Sequence, residues 1–201
     1  MNAKPAGGIA TNNVHFRYDS MAIWLHWITA LLVVTQFALA EFWDFFPRPD
    51  KQLMIVAHMS FGILLILVLL MRISWRWIHG HGFKDTATGI FALASKAVHY
   101  AFYILLAVEV VLGIFVRWTD NHALSFFGLQ IPSPFGDVSK ATGSFVEEIH
   151  NINAWIIMIL AAGHALMALF HHYILHDDVL LRMLPKRRDK VSGPSDTPSG
   201  R

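Results

Sequence analysis

The chain has 201 residues, 55% hydrophobic and 15% charged, which is too apolar for an ordinary soluble domain and typical of a membrane protein. It contains no cysteine, which excludes disulfides, thiolate ligands, cysteine-bound iron–sulfur clusters and haem attached through a C-x-x-C-H motif. A net charge of +2 is too small to argue for nucleic acid.

Residues 1–14 are rich in Gly, Ala and Asn and read as a disordered N-terminal extension. Met1–Ser20 is polar, and the first apolar run lacks a small-residue cleavage site, so a cleavable signal peptide is not expected. Residues 15–185 read as one all-α membrane domain. Its four spans run over about 20–40, 53–73, 95–116 and 149–173, each long enough for a bilayer crossing of roughly 20 residues. The loop Glu41–Lys51 between the first two spans is short. The loop from Arg117 to Glu148 is long enough to cover the mouth of the bundle. Its Pro132, Pro134, Gly128, Gly136 and Gly143 suggest short interfacial turns. Residues 186–201 read as a disordered basic tail.

Lys and Arg set the orientation. With the N-terminus inside, twelve fall on the inner side: Lys4, Arg17, Arg72, Arg76, Lys84, Lys96, Arg182, Lys186, Arg187, Arg188, Lys190 and Arg201. Only four, Arg48, Lys51, Arg117 and Lys140, fall outside. That bias predicts cytoplasmic N- and C-termini in a bacterial inner membrane. Trp24, Trp27, Trp43, Trp75, Trp77 and Trp118 lie near span ends, where amphipathic rings anchor at the interface.

The fourth span carries the chemistry. His150 and His164 are fourteen residues apart, which is about 21 Å along a helix and nearly the same face. Ionisable or polar groups inside a membrane are costly and point to function, and neutral imidazole is a good iron ligand. Two histidines on one face, a leaflet apart, suggest two stacked haems. The other spans then supply the opposing ligands. On the outer side His58 is the only span histidine available to pair with His150. Gly62, one turn after His58, would let a porphyrin edge approach, or equally a neighbouring helix. On the inner side the partner of His164 is His26 or, as the alternative, His99. Met21, Met59, Met158 and Met167 are possible ligands in principle but read mainly as packing.

His15, His79, His81 and His122 fall in polar segments and read as solvated. His171, His172 and His176 end the fourth span beside Asp177, Asp178 and Arg182. This is either a wet, charged helix end or a quinone-head site that also delivers protons from the cytoplasm. Glu109, in the middle of span 3, must be either neutral or hydrogen-bonded to a polar partner. Sequence places it in no site.

Several stretches together resemble the bacterial cytochrome b561 family. They are Trp24-Leu-His-Trp27, the Glu41-Phe-x-x-Phe-Phe-Pro-Arg48 loop, His58 with Gly62, Glu148-x-His150, Gly163-His-Ala-x-x-Ala-x-x-His-His172, and Leu180-Leu-Arg-Met-Leu-Pro185. The loop and the closing pattern are similar to the superoxide oxidase (superoxide:ubiquinone oxidoreductase) branch. The resemblance implies a four-helix bundle with two b haems, ligated by His26 with His164 and by His58 with His150. It also implies ubiquinone as electron acceptor, near His171, His172 and Arg182. Superoxide would be drawn to Arg48, Lys51, Arg117 and Lys140. Neighbouring Glu41, Asp44, Asp50, Asp137, Glu147 and Glu148 restrict that attraction to a focused pocket. The other function compatible with this resemblance is an electron-transfer subunit serving a dehydrogenase- or hydrogenase-type partner. A non-haem metal site or haem carrier is less favoured, because no span has a His/Asp cluster at depth.

Overall fold

The computed structural model describes residues 19–79, 90–120 and 122–185. The expected N-terminal extension and basic tail, with His15 and His81, lie outside the described residues. Four helices form the body: α1 (Ser20–Phe42), α2 (Arg48–Ile78), α3 (Ile90–Thr119) and α4 (Lys140–Tyr173). All four are long and apolar enough to cross a membrane, so the four expected spans are borne out.

The helix ends follow from local chemistry. The Asp19 carboxylate accepts from Ala22 N–H at 2.8 Å and from the Trp75 indole N–H at 3.2 Å, capping α1 and tying it to α2. A 3₁₀ turn (Trp43–Phe45) and Pro47 end α1, and Pro49 in the first turn of α2 starts the next helix without losing a ladder bond. Ser139 caps α4 through Thr142 N–H at 3.2 Å. That cap moves the start of α4 nine residues ahead of the expected span, so Lys140–Glu148, which hydropathy predicts as loop, is helical.

The remaining outer connection is an antiparallel hairpin, β1 (Leu124–Phe126) and β2 (Leu129–Ile131), with Leu124 opposite Ile131. Its turn needs positive φ at Phe127 (44°) and Gly128 (95°). Gly128 takes that conformation freely, and Phe127 is held by its N–H donating to the buried Ser60 hydroxyl of α2 at 3.0 Å.

α1 packs along α2 and α3 along α4, with sparser contact between α2 and α3. Leu25, Leu32, Leu65, Val68, Leu69, Leu106 and Ile157 meet in the middle. Large apolar side chains such as Leu31, Leu53, Ile104, Ile159 and Leu166 face outward, as a lipid-facing surface requires. α4 hardly approaches the backbones of α1 and α2. That open seam is where the histidines converge.

Candidate functional site

Two histidine pairs bridge the seam. At the end that carries the hairpin, the His58 and His150 ring centres lie 6.4 Å apart, with planes inclined by 83°. At the end that carries the termini, His26 and His164 are also 6.4 Å apart, inclined by 65°. Two imidazoles on opposite sides of one metal ion, each bonded at about 2 Å, would have centres roughly 6 Å apart. Both pairs have that spacing.

The second ring nitrogen decides which tautomer each histidine holds. His58 Nδ1 lies 3.1 Å from the Gln36 carbonyl oxygen. A carbonyl only accepts, so Nδ1 carries the proton and Nε2 keeps its lone pair for a metal. His150 Nδ1 lies 3.2 Å from a Glu109 carboxylate oxygen, off the line of a good hydrogen bond, and has no other acceptor. His26 differs, because its Nδ1 faces an Arg72 guanidinium nitrogen, a donor, at 3.3 Å. His99 donates from Nδ1 to the Ser95 carbonyl at 2.6 Å and its ring centre is 5.6 Å from that of His164. Ring spacing therefore favours His26 opposite His164, and tautomer favours His99. Both imidazoles sit against His164.

Two glycines permit close approaches beside the histidines. A methyl group added at Gly113 of α3 would come within 3.2 Å of His150 Cε1, so glycine lets that ring lie against the helix. Gly62 of α2 instead serves close helix packing, since a Cβ there would come within 3.1 Å of the Gln36 side-chain amide of α1. Arg117 Nε and Trp118 Nε1, near the hairpin end of α3, are buried donors without a hydrogen-bond acceptor. Buried polar atoms without partners call for a physical reason. Donors of this kind suit the propionates of a porphyrin. Open seam, paired imidazoles and stranded donors together fit haem b. Among the described residues no group of three His, Asp or Glu forms a metal cage.

The expected cations are dispersed. Arg48 and Lys140 are exposed in the first turns of α2 and α4. Lys51 is engaged with Asp44 at 2.5 Å. Arg117 is half-buried and keeps its Nε free of an acceptor.

At the other end His171 Nδ1 meets Asp177 Oδ2 at 2.5 Å. Partial burial pushes the Asp177 carboxyl up, but its hydrogen bonds from His171 and Val179 N–H and the nearby Arg182 outweigh this and hold it below its ordinary value. His172 packs against the Tyr173 ring. Arg182 lies in a 3₁₀ turn (Leu181–Met183), with its Nε buried and without an acceptor. The Trp27 indole N–H donates to Met183 O at 2.7 Å, strapping this segment to α1. Replacing Trp27 by Phe removes one hydrogen bond worth about 1 kcal/mol. Trypsin should then cut after Arg182 about fivefold faster, as followed by mass spectrometry.

Glu109, its partner Asn153 and Arg72 escape the sequence reading of the site. Glu109 reaches His150, and its other oxygen accepts from Asn153 Nδ2 at 2.7 Å. Their matching depth, with Glu109 ten residues from the end of α3 and His150 ten from the start of α4, emerges only once α4 is seen to begin at Lys140. Arg72, which sequence uses only for orientation, contacts His26 and lies over the Tyr103 ring at 5.5 Å.

Residues 17–186 match the family model for prokaryotic cytochrome b561. The chain belongs to the prokaryotic cytochrome b561 family. It is 32% identical over 182 residues to cytochrome b561 homolog 2 of Escherichia coli (strain K12), covering 87% of this chain and 94% of the relative. It is 31% identical to cytochrome b561 homolog 1 of the same organism, covering 86% and 99%. Similarity to the probable superoxide oxidase CybB of Yersinia pestis is 29% over 180 residues, 87% and 99% of the two chains. This cytochrome b561 is thus a multi-pass, four-helix membrane protein of electron transport, in a family that binds b-type haem and exchanges electrons with quinone.

Proposed function

We propose that this cytochrome b561 oxidises superoxide outside the membrane and reduces ubiquinone to ubiquinol, using two haems b. In balance, two superoxide ions and one ubiquinone, with two protons from the cytoplasm, give two dioxygen molecules and one ubiquinol. The observation that carries the reading is the pair of histidine couples at one spacing, fourteen residues apart along α4. His58 and His150 would hold one haem, and His26 and His164 the other. Bound there, the haems would supply one-electron carriers at both faces of the bilayer.

The chain's own residues do the rest. Arg48, Lys51, Arg117 and Lys140 lie at the hairpin end and favour approach of an anion. Lys51 is partly neutralised by Asp44. Arg117, half-buried near the hairpin end of α3 with Asp120 close by, is the leading superoxide contact through the exposed part of its guanidinium. The hairpin end faces the periplasm in this reading, and both termini face the cytoplasm of a bacterial inner membrane, in keeping with the Lys and Arg distribution. His171, His172 and Arg182 form the quinone end. The His171–Asp177 pair offers a hydrogen-bonded route for protons to a quinone oxygen, and Arg182 a donor to its carbonyl. The name of the Yersinia pestis relative supports the choice of donor.

The test is visible absorption of the purified oxidised protein with a short-chain ubiquinone while superoxide is generated in the cuvette. Reduction of a b-type α band with net ubiquinol is the expected result. A spectrum that dithionite reduces and superoxide does not would assign the chain to a partner-fed wire between a dehydrogenase and the quinone pool.

A further inference from the structure

Glu109 stands alone among the carboxylates of the described residues in lying near the middle of a membrane span. Its surroundings define what it can do. Asn153 Nδ2 also donates to the Leu105 carbonyl at 3.0 Å, and a carbonyl only accepts, so the amide must present its NH₂ to both partners. One Glu109 oxygen therefore accepts from Asn153 at 2.7 Å, and the other faces His150 Nδ1 at 3.2 Å. If His150 binds metal through Nε2, its Nδ1 must bear hydrogen. Both neighbours of the Glu109 side chain are then donors, and it serves as acceptor only. The partner ligand His58 points its Nδ1 at a neutral peptide carbonyl, and His26 faces the Arg72 guanidinium.

We propose that Glu109, held by Asn153, is a positioning residue that orients His150 and electronically enriches it, so that the hairpin-end haem favours its oxidised form. A carboxylate 3.2 Å from Nδ1–H, though off the line of a good hydrogen bond, attracts that proton electrostatically and makes the imidazole a stronger donor to iron, which stabilises the higher charge state. The device acts on one of four histidines. It makes the haem that receives electrons the weaker oxidant of the two and favours onward transfer towards the termini end. The inference rests on the reading of His150 as a haem ligand.

The experiment is a spectroelectrochemical titration of wild type, Glu109→Gln and Glu109→Asp in detergent, with the low-spin ferric EPR signal of each. His150→Ala, which keeps only the termini-end haem, identifies which wave belongs to which haem. Gln retains the shape and the bond from Asn153 but turns an NH₂ towards His150. The hairpin-end haem should become about tenfold easier to reduce, a rise of about 59 mV for one electron. Its g-maximum should move, and the termini-end wave should stay in place. The Asp variant retracts the carboxylate and should shift the same haem in the same direction by less. It decides the matter if the Gln variant does not retain haem. Unchanged hairpin-end potentials in both variants, or equal shifts of both haems, would overturn the role of Glu109. Two haems surviving in His150→Ala would instead overturn the ligand assignment beneath it.

Discussion

His150→Ala should purify with one haem per chain where two are proposed for the wild type, and the pyridine haemochrome assay would read the change directly. The reason is geometric. His150 and His58 face each other across a seam that α4 otherwise leaves open, and among the described residues no third histidine ring contacts them. Truncation leaves one imidazole for an iron that needs two. His26→Ala should likewise leave one haem, the hairpin-end one. His99→Ala should keep both, although its ring touches His164. The comparison of these two variants resolves the conflict between ring spacing and tautomer. If His99→Ala loses a haem and His26→Ala does not, the second ligand to the termini-end iron is His99. In each single-haem variant superoxide-driven ubiquinol formation should drop at least a hundredfold, because the path between the faces is cut.

Arg117→Gln should lower the rate of haem reduction by superoxide about tenfold at low ionic strength, and the loss should shrink as salt is raised. Charge steering of a small anion by a focused cation has about this size and this salt dependence. Reduction by dithionite at saturating concentration should be unchanged, which separates encounter from damage to the haem. Arg48→Gln and Lys140→Gln should each cost less than threefold, since both side chains are exposed and well solvated. Stopped-flow absorbance at several salt concentrations makes the measurement. A salt-independent loss in Arg117→Gln would assign this residue to holding haem rather than to meeting superoxide.

The four spans are legible in the sequence because a long apolar run can satisfy its backbone polar groups in lipid only by coiling into a helix of bilayer length. Their ends are less so. Lys140–Glu148 is polar and reads as loop by hydropathy, yet Ser139 caps it and the helix runs on into the membrane. The turn of the hairpin has Phe127 at a position that usually holds Asn or Gly. Its bond to Ser60 and its ring contact with Phe61, both long-range, hold it there. The spacing of His150 and His164 is readable from helix periodicity alone, and depth points to their partners. Whether His26 or His99 opposes His164 is not readable from the chain, because both rings converge on it from different helices. The contact of Glu109 with His150 depends on the rotation of α3 against α4, which no single-helix pattern encodes.

The separation of the two histidines on α4 also sets an amount of electrical work. In the proposed orientation, negative charge moves inward across about 21 Å of a hydrocarbon core roughly 30 Å thick. It moves against a potential that is negative inside. Some two-thirds of the membrane voltage then opposes each electron, roughly 1.6 kcal/mol per 100 mV. Respiring cells with a high proton-motive force would clear superoxide through this protein more slowly than de-energised ones. The same protein, turning over, would carry negative charge to the side that is already negative and so add to that voltage.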